Sequence, residues 1–190
     1  MKIRKIKLRE LKEADIFKEK ILNPEKKRRY RPYYKILKNY KREPSLFIGA
    51  YDKNRIIGVA FGYIKKKKIL LGEMAVLEEY RNKGIGKKIL KKIEQNSKKL
   101  NKKYIELGAL DNAEKFYLKQ NYKPIIFVQI YPKNILKNYN HLNYKIIKET
   151  NYVDSKRFYI EVKRYDPKLK EKIKKEFKAY DVIYLFRKYL

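Results

Sequence analysis

The stretch Leu70-Leu71-Gly72-Glu73-Met74-Ala75-Val76-Leu77-Glu78-Glu79-Tyr80-Arg81-Asn82-Lys83-Gly84-Ile85-Gly86-Lys87 decides how this chain folds. It opens inside an apolar run, Ile69 to Leu77, that reads as a strand. It then passes a polar turn and enters a helical pattern with Ile85, Ile89, Leu90, Ile93 and Leu100 on one side. Such a strand–turn–helix junction leaves the backbone N–H groups of the first helical turn without partners, at the positive end of the helix dipole. Glycines at 84 and 86 let an anion reach that backbone without a Cβ in the way. Arg81, Lys83, Lys87 and Lys88 put cations on the same rim, so the junction suits a diphosphate. Gly-x-Gly alone serves a plain βα turn equally well, and its surroundings must decide.

Upstream, Ile3, Ile6 and Leu8 mark a short strand, and Leu11 to Leu22 carries Leu11, Ala14 or Asp15, Lys18 and Leu22 at helical spacing up to Asn23-Pro24. Glu25 to Arg42 continues in a helical but very basic pattern. Leu46 to Tyr51 and Arg55 to Ile64 read as strands joined by a hairpin turn at Asp52-Lys53-Asn54. Downstream, Tyr104 to Leu110 reads as a strand, Asp111 is placed to cap a short helix over 112–119, and Tyr122 to Tyr131 is another strand stopped by Pro132. Asn134 to Asn143 is Asn-rich and reads as a linker. Beyond it come strands at 144–147 and 157–162, a helix opened by Asp166-Pro167 with Leu169, Ile173 and Phe177 as its apolar stripe, and a strand at 182–186.

With these neighbours the junction acquires meaning. Arg-x-x-Gly-x-Gly at Arg81 to Gly86 follows a Val-ending strand, and Ala113 to Tyr122 follows about 30 residues later. Together they resemble the GNAT superfamily of N-acetyltransferases, whose element order β-α-α-β-β-β-α-β-α-β fits residues 1 to 132. The resemblance implies a mixed α/β fold, a central and mostly antiparallel sheet flanked by helices, with a small β-β-α-β appendage at the C-terminus. The expected organisation is a domain over 1–132, a linker over 133–143 and an extension over 144–190. It further implies acetyl-CoA as co-substrate, with its pyrophosphate on Arg81, Asn82, Lys83, Gly84, Ile85, Gly86 and Lys87. The pantetheine arm would lie along Met74, Ala75 and Val76, with Asn112 and Tyr117 as further contacts. Two positions depart from the family pattern. Asn121 stands where Gly is usual, and Asn is the best substitute at positive φ. Leu110 replaces an Asn, with Asn112 near enough to serve instead.

For acyl transfer the attacking amine must lose a proton and the departing thiolate must be stabilised or protonated. The resemblance places Tyr117, beside Phe116, as the general acid. For the base two carboxylates are candidates, Glu73 and Glu106. Strand alternation turns Glu73 away from the acetyl group unless a bulge intervenes. A water relay, or no dedicated base, is the remaining option.

Composition narrows the classes. The chain has 190 residues and 23.2 kDa, the length of one domain with an appendage. Cys is absent, which removes disulfides, thiolate catalysis and zinc–cysteine sites. The lone His141, in the Asn-rich stretch, has no companions with which to hold a metal, and no metal is expected. No apolar run nears the roughly 20 residues of a membrane span, and Met1 to Glu10 lacks the apolar core of a signal peptide. A soluble, cytoplasmic protein, monomer or homodimer, is the expectation.

The charge is the outlying number: 52 Lys and Arg against 21 Asp and Glu, net +31. A Lys-, Ile- and Tyr-rich composition is thermophile-like, but thermophily raises Lys and Glu together and does not explain the excess. Lys18 to Arg42 carries 11 basic residues and 2 acidic ones among several tyrosines, and Lys133 to Leu190 carries 16 and 7. Both stretches suit contact with nucleic acid or another acidic partner. Two functions therefore stand: an acetyl-CoA-dependent N-acetyltransferase acting on an amine of a small molecule, peptide or protein, or a basic nucleic-acid- or ribosome-associated protein on the same fold with weak or no catalysis.

Overall fold

The turn at Asp52-Lys53-Asn54 sets the first sheet. Lys53 and Asn54 lie at φ 44° and 70°, the left-handed pair of a tight hairpin, and they join β2 (Phe47–Asp52) to β3 (Arg55–Ile64). A computed structural model describes residues 1–25, 31–131 and 144–190. The linker expected at 133–143, with His141, and residues 26–30 of the basic stretch lie outside the described residues. The chain divides into two compact units, Met1–Glu106 with Tyr189–Leu190, and Leu107–Lys188.

In the first unit β1 (Lys2–Lys5), β2, β3, β4 (Lys68–Val76) and β5 (Tyr104–Gly108) pair in that order, antiparallel except for the parallel β4–β5 pair. From Ile56 to Tyr63 every residue of β3 is buried, so both faces of the sheet are covered. A Cβ at Gly58 would meet Ile89 of α3 (Ile85–Lys99), while Phe61, of opposite parity, faces Lys18 of α1 (Leu11–Leu22). The two helices therefore cover opposite faces. The apolar stripe read for α3 is in the core at Ile85, Ile89, Leu90 and Ile93. α2 spans Tyr33–Arg42 and begins only after Pro32, whose ring disfavours a helical Arg31 before it.

In the second unit β6 (Lys123–Ile130) lies between β9 (Asp181–Tyr189) and β8 (Ser155–Glu161), with β7 (Ile146–Tyr152) beyond β8, all antiparallel. α4 (Glu114–Lys119) and α5 (Leu169–Glu176) complete it, and Phe158, Ile173, Phe177, Tyr184 and Phe186 form its core. After residue 144 the elements follow in the order β-β-α-β. The unit boundary, however, falls at 106/107 and not in the Asn-rich stretch, because β6 takes β8 and β9 as its neighbours.

Three local readings change. Asp111 does not cap α4: a 3-10 turn, Asp111–Ala113, precedes the helix, and the Asp111 carboxylate accepts instead from Lys170 Nζ at 2.7 Å. Asp166 accepts from the backbone N–H of Lys168 at 2.9 Å, so α5 starts at Leu169 rather than Pro167. β7 runs five residues past Ile147 to Tyr152, through Lys148 to Asn151, a polar edge with no apolar alternation to reveal it.

Asn121 behaves as expected. At φ 63° it closes α4 with two bonds, Tyr122 N–H to Tyr117 O (3.1 Å) and Asn121 N–H to Leu118 O (3.0 Å). Asn101 ends α3 and Lys178 ends α5 in the same way.

Candidate functional site

The site in the first unit begins where β4 and β5 stop pairing. Their register runs only from Lys68↔Tyr104 to Leu70↔Glu106. From Leu71 onward β4 keeps β3 on one side, at Ala60↔Met74, Val59↔Ala75 and Gly58↔Val76, and has no strand on the other among the described residues. Met74, Ala75 and Val76 thus lie on a strand with one unpaired edge, able to receive an extended chain bearing amide groups.

β4 also carries the bulge on which the orientation of Glu73 depended. Phe61 pairs with Glu73 but Gly62 with Leu71, leaving Gly72 as the extra residue. A Cβ at Gly72 would stand 2.3 Å from the Tyr63 ring, so only glycine lets Tyr63 lie flat here. Tyr63 in turn donates its hydroxyl to Glu73 Oε2 at 2.6 Å. Burial, and then the neighbouring Glu73 carboxylate, push the Tyr63 phenol up, so it stays a neutral donor. Arg31 stacks over the same ring at 4.3 Å, with Nε 3.6 Å from Glu73 Oε1. Glu106 is differently placed. It is buried and paired with Lys68 across the β4–β5 register.

Past Val76 the chain makes a 3-10 turn, Glu78–Tyr80, and reaches Gly84 at φ 74°. Gly84 is the N-cap of α3 and provides no capping side chain, while Lys88 N–H bonds Gly84 O at 3.1 Å. The N–H groups of Ile85, Gly86 and Lys87 therefore precede the first intrahelical bond. A Cβ at Gly84 would meet nothing within 4 Å, so the space before the helix is open. Asn82 takes φ 60°, and Arg81 Nε donates to Val76 O at 3.3 Å, tying the loop to the end of β4. Arg81, Lys83, Lys87 and Lys88 are all exposed around it. This geometry fits the diphosphate read from the sequence.

In the second unit Tyr117 is buried, its ring packed on Phe116 (5.0 Å), Tyr122 (5.9 Å) and Phe186 (5.9 Å). Burial alone pushes its phenol up, and its hydroxyl has no hydrogen-bond partner among the described residues. Asn112 is exposed in the turn before α4.

Residues 43–124 match the family model described as an acetyltransferase (GNAT) domain. That segment is a GNAT domain. Solved structures agree in fold. A putative acetyltransferase from Pyrococcus horikoshii aligns over 100% of this chain and 89% of its own, with TM-score 0.58 at 10% identity. A GNAT-family acetyltransferase from Staphylococcus aureus aligns over 84% and 97%, with TM-score 0.55 at 23% identity. Arabidopsis thaliana Naa50, in complex with the bisubstrate analogue CoA-Ac-MVNAL, aligns over 84% and 95%, with TM-score 0.53 at 16% identity. At these identities the likeness shows the GNAT fold. Comparison with curated proteins gives no match.

Sequence reading missed several members of the two clusters. Tyr63 and Arg31 reach Glu73 from β3 and from before α2, and nothing local marks them. Lys18 falls in the basic stretch read as suited to an acidic partner, yet it is buried. Its ammonium is paired with Asp15 at 2.8 Å and with Glu19, and lies 5.7 Å from the Phe61 ring. The helical stripe through Leu11 and Ala14 was the signal that placed it inside. Among the described residues no helix is long and apolar enough to cross a membrane, and no cluster of acidic and histidine side chains could hold a metal.

Proposed function

We propose that this GNAT acetyltransferase moves the acetyl group of acetyl-CoA onto a primary amine by direct attack. The observation that carries the reading is the open start of α3 at Gly84, reached by one loop from a β4 whose edge is unpaired on one side from Leu71 onward. Ile85, Gly86 and Lys87 N–H groups would receive the pyrophosphate, with Arg81, Asn82, Lys83 and the Lys87 side chain around it, and the edge of Met74 to Val76 would receive the pantetheine amides. Asn112 is the weaker assignment, resting on position alone.

For the proton leaving the amine, Glu73 is the favoured acceptor, directly or through a water. The bulge turns it, Tyr63 fixes it, and its side chain keeps 17% exposure. Glu106 is the lesser candidate because Lys68 occupies its carboxylate. As the amine nitrogen bonds the acyl carbon and the carbon–sulfur bond breaks, Tyr117 would give its proton to the sulfur, a role suited to a neutral phenol with a free hydroxyl.

Calorimetry with acetyl-CoA, followed by an acceptor screen over polyamines, amino acids, basic peptides and aminoacyl groups, tests the proposal. Because the chain has no Cys, released CoA thiol can be read by a thiol reagent without background. No heat of acetyl-CoA binding would sink the reading.

A second reading is favoured by one feature. Lys87, Lys88, Lys91, Lys92, Lys98 and Lys99 of α3 have no ion-pair partner among the described residues, and Lys88, Lys91 and Lys92 line a shallow recess of about 410 Å³ with Met1, Ile3 and Gln95. Such a face suits a polyanion, and nucleic acid is the natural test. Retention on single-stranded RNA should fall with salt at a log–log slope of about −0.7 per phosphate neutralised. No retention at low salt would remove this reading and leave the enzyme untouched.

A further inference from the structure

The segment after residue 144 has no part in the chemistry proposed above, yet its side chains close a circuit around Tyr117. Glu114, one helical turn before Tyr117 on α4, is 1% exposed, an unusual place for a carboxylate. Both of its oxygens are taken by the C-terminal segment. Oε1 accepts from Lys170 Nζ at 3.0 Å, and Oε2 accepts from the Tyr165 hydroxyl. Lys170 Nζ also bonds Asp111 Oδ1 at 2.7 Å, so one ammonium ties the turn before α4 to the helix itself.

From Tyr165 the path returns through rings. Tyr165 packs on Tyr184 at 5.0 Å, Tyr184 on Phe186 at 6.1 Å, and Phe186 on Tyr117 at 5.9 Å. Tyr184 is fixed in its turn, donating its hydroxyl to Asp166 O at 2.7 Å with Lys170 Nζ 5.7 Å from its ring centroid. The circuit Glu114–Tyr165–Tyr184–Phe186–Tyr117 is therefore closed by the single helical turn from Tyr117 back to Glu114. Among the described residues the Tyr117 side chain has only ring contacts, so this packing is what fixes where its hydroxyl stands. A carboxylate this deep, with both oxygens satisfied, is costly to move and makes a rigid anchor for a helix of 6 residues.

We infer that Tyr165 and Lys170 are positioning residues that set the Tyr117 hydroxyl through Glu114 and the Tyr184–Phe186 rings. The C-terminal segment is thus part of the acyl-transfer machinery. The inference rests on the reading of Tyr117 as the acid.

A double-mutant cycle tests it. Hydroxylamine, uncharged at neutral pH, serves as the probe acceptor with acetyl-CoA, so that the rate reports expulsion of the thiol and not an unknown acceptor pocket. Tyr165→Phe keeps the ring and removes one hydroxyl. Its kcat should fall about tenfold with the KM for acetyl-CoA within twofold, and on a Tyr117→Phe background it should have no further effect. Lys170→Met should behave alike, and Lys170→Arg should restore part of the loss. If Tyr117→Phe impairs turnover while Tyr165→Phe leaves kcat at the wild-type value, or if the Tyr165→Phe loss repeats in full without the Tyr117 hydroxyl, the positioning role is overturned and Tyr117 stands. If Tyr117→Phe leaves turnover undiminished, or the full chain does not accelerate the reaction at all, Tyr117 falls as the acid and the positioning role falls with it. A Lys170→Met chain that does not fold leaves the decision to Tyr165→Phe and Lys170→Arg.

Discussion

At the start of α3, Gly84 offers no capping side chain, and among the described residues the lysines that follow have no carboxylates paired with them. At the start of α4, by contrast, Glu114 and Asp111 are closed on Lys170, and Tyr165 takes the last carboxylate oxygen. Both are short turns leading from a strand into a helix, and both are rich in charge. The first leaves its donors and cations without internal partners among the described residues, whereas the second spends its charge on its own packing. Charge in this protein is thus informative according to whether it is satisfied internally, and the net +31 by itself distinguishes neither place.

The largest expected effect breaks the closed side. Lys170→Met strips Glu114 of its only charged partner among the described residues while the carboxylate stays buried, and removing one member of such a pair costs about 3–5 kcal/mol. Urea denaturation should show the upper part of that range reduced by the surviving Tyr165 bond, a loss near 3 kcal/mol. Lys91→Met on α3 should change stability by less than about 0.5 kcal/mol. Equal losses at the two lysines would dissolve the contrast.

On the open side, Gly84→Val tests whether the φ of 74° matters to the ligand. A β-branched residue in the left-handed region costs about 1–2 kcal/mol. Since a Cβ there meets nothing within 4 Å, the cost comes from the backbone and not from a clash. Acetyl-CoA affinity by calorimetry should fall by roughly tenfold or more, as tenfold corresponds to about 1.4 kcal/mol. Unchanged affinity would mean that the turn is a βα connection and nothing else.

The contrast is between helix entries rather than between units, and Glu10 in the first unit shows it. Arg4 grips its carboxylate with two bonds of 2.7 Å, and Lys7 N–H and the Tyr51 hydroxyl add 2.9 Å bonds. The Arg4 hydrogen bonds, against some desolvation, hold Glu10 down to about 2 from 4.5. Its contribution to stability is therefore complete above pH 4.5 and is lost as pH falls toward 2. The urea midpoint should drop across that window in the wild type, and the drop should shrink in Glu10→Gln, which would already be less stable at neutral pH.

Much of the first unit was legible because its signals are local. The hairpin at Asp52 to Asn54, the α3 stripe and the Arg81 to Gly86 junction each sit within one window of sequence, where turn chemistry and periodicity decide the outcome. The bulge at Gly72 could be stated only as a condition on Glu73, since a register shift exists only in relation to β3. The Glu114 cluster was invisible. Lys170 lies 56 residues from Glu114 and Tyr165 lies 51, and a buried ion pair has no periodicity of its own. Lys18 was ambiguous for the same reason: its type said surface, while its place on the α1 stripe said core.

The smallest expected effect has the most telling sign. Lys88 stands in the first turn of α3, with Lys91 and Lys92 three and four residues on, so like charges crowd one face at the positive end of the dipole. Lys88→Glu converts both repulsions into attractions in the better orientation, acid before base, and sets a carboxylate against the helix N-terminus. Each of those changes is worth a few tenths of a kcal/mol. Thermal denaturation should therefore show the variant slightly more stable than the wild type, while acetyl-CoA affinity and low-salt RNA retention both decline. A residue that lowers stability where it stands, and whose replacement improves the fold at the expense of binding, is kept for its ligand. If Lys88→Glu instead destabilised the chain, α3 would have internal partners for its charge, and its entry would be no different from that of α4.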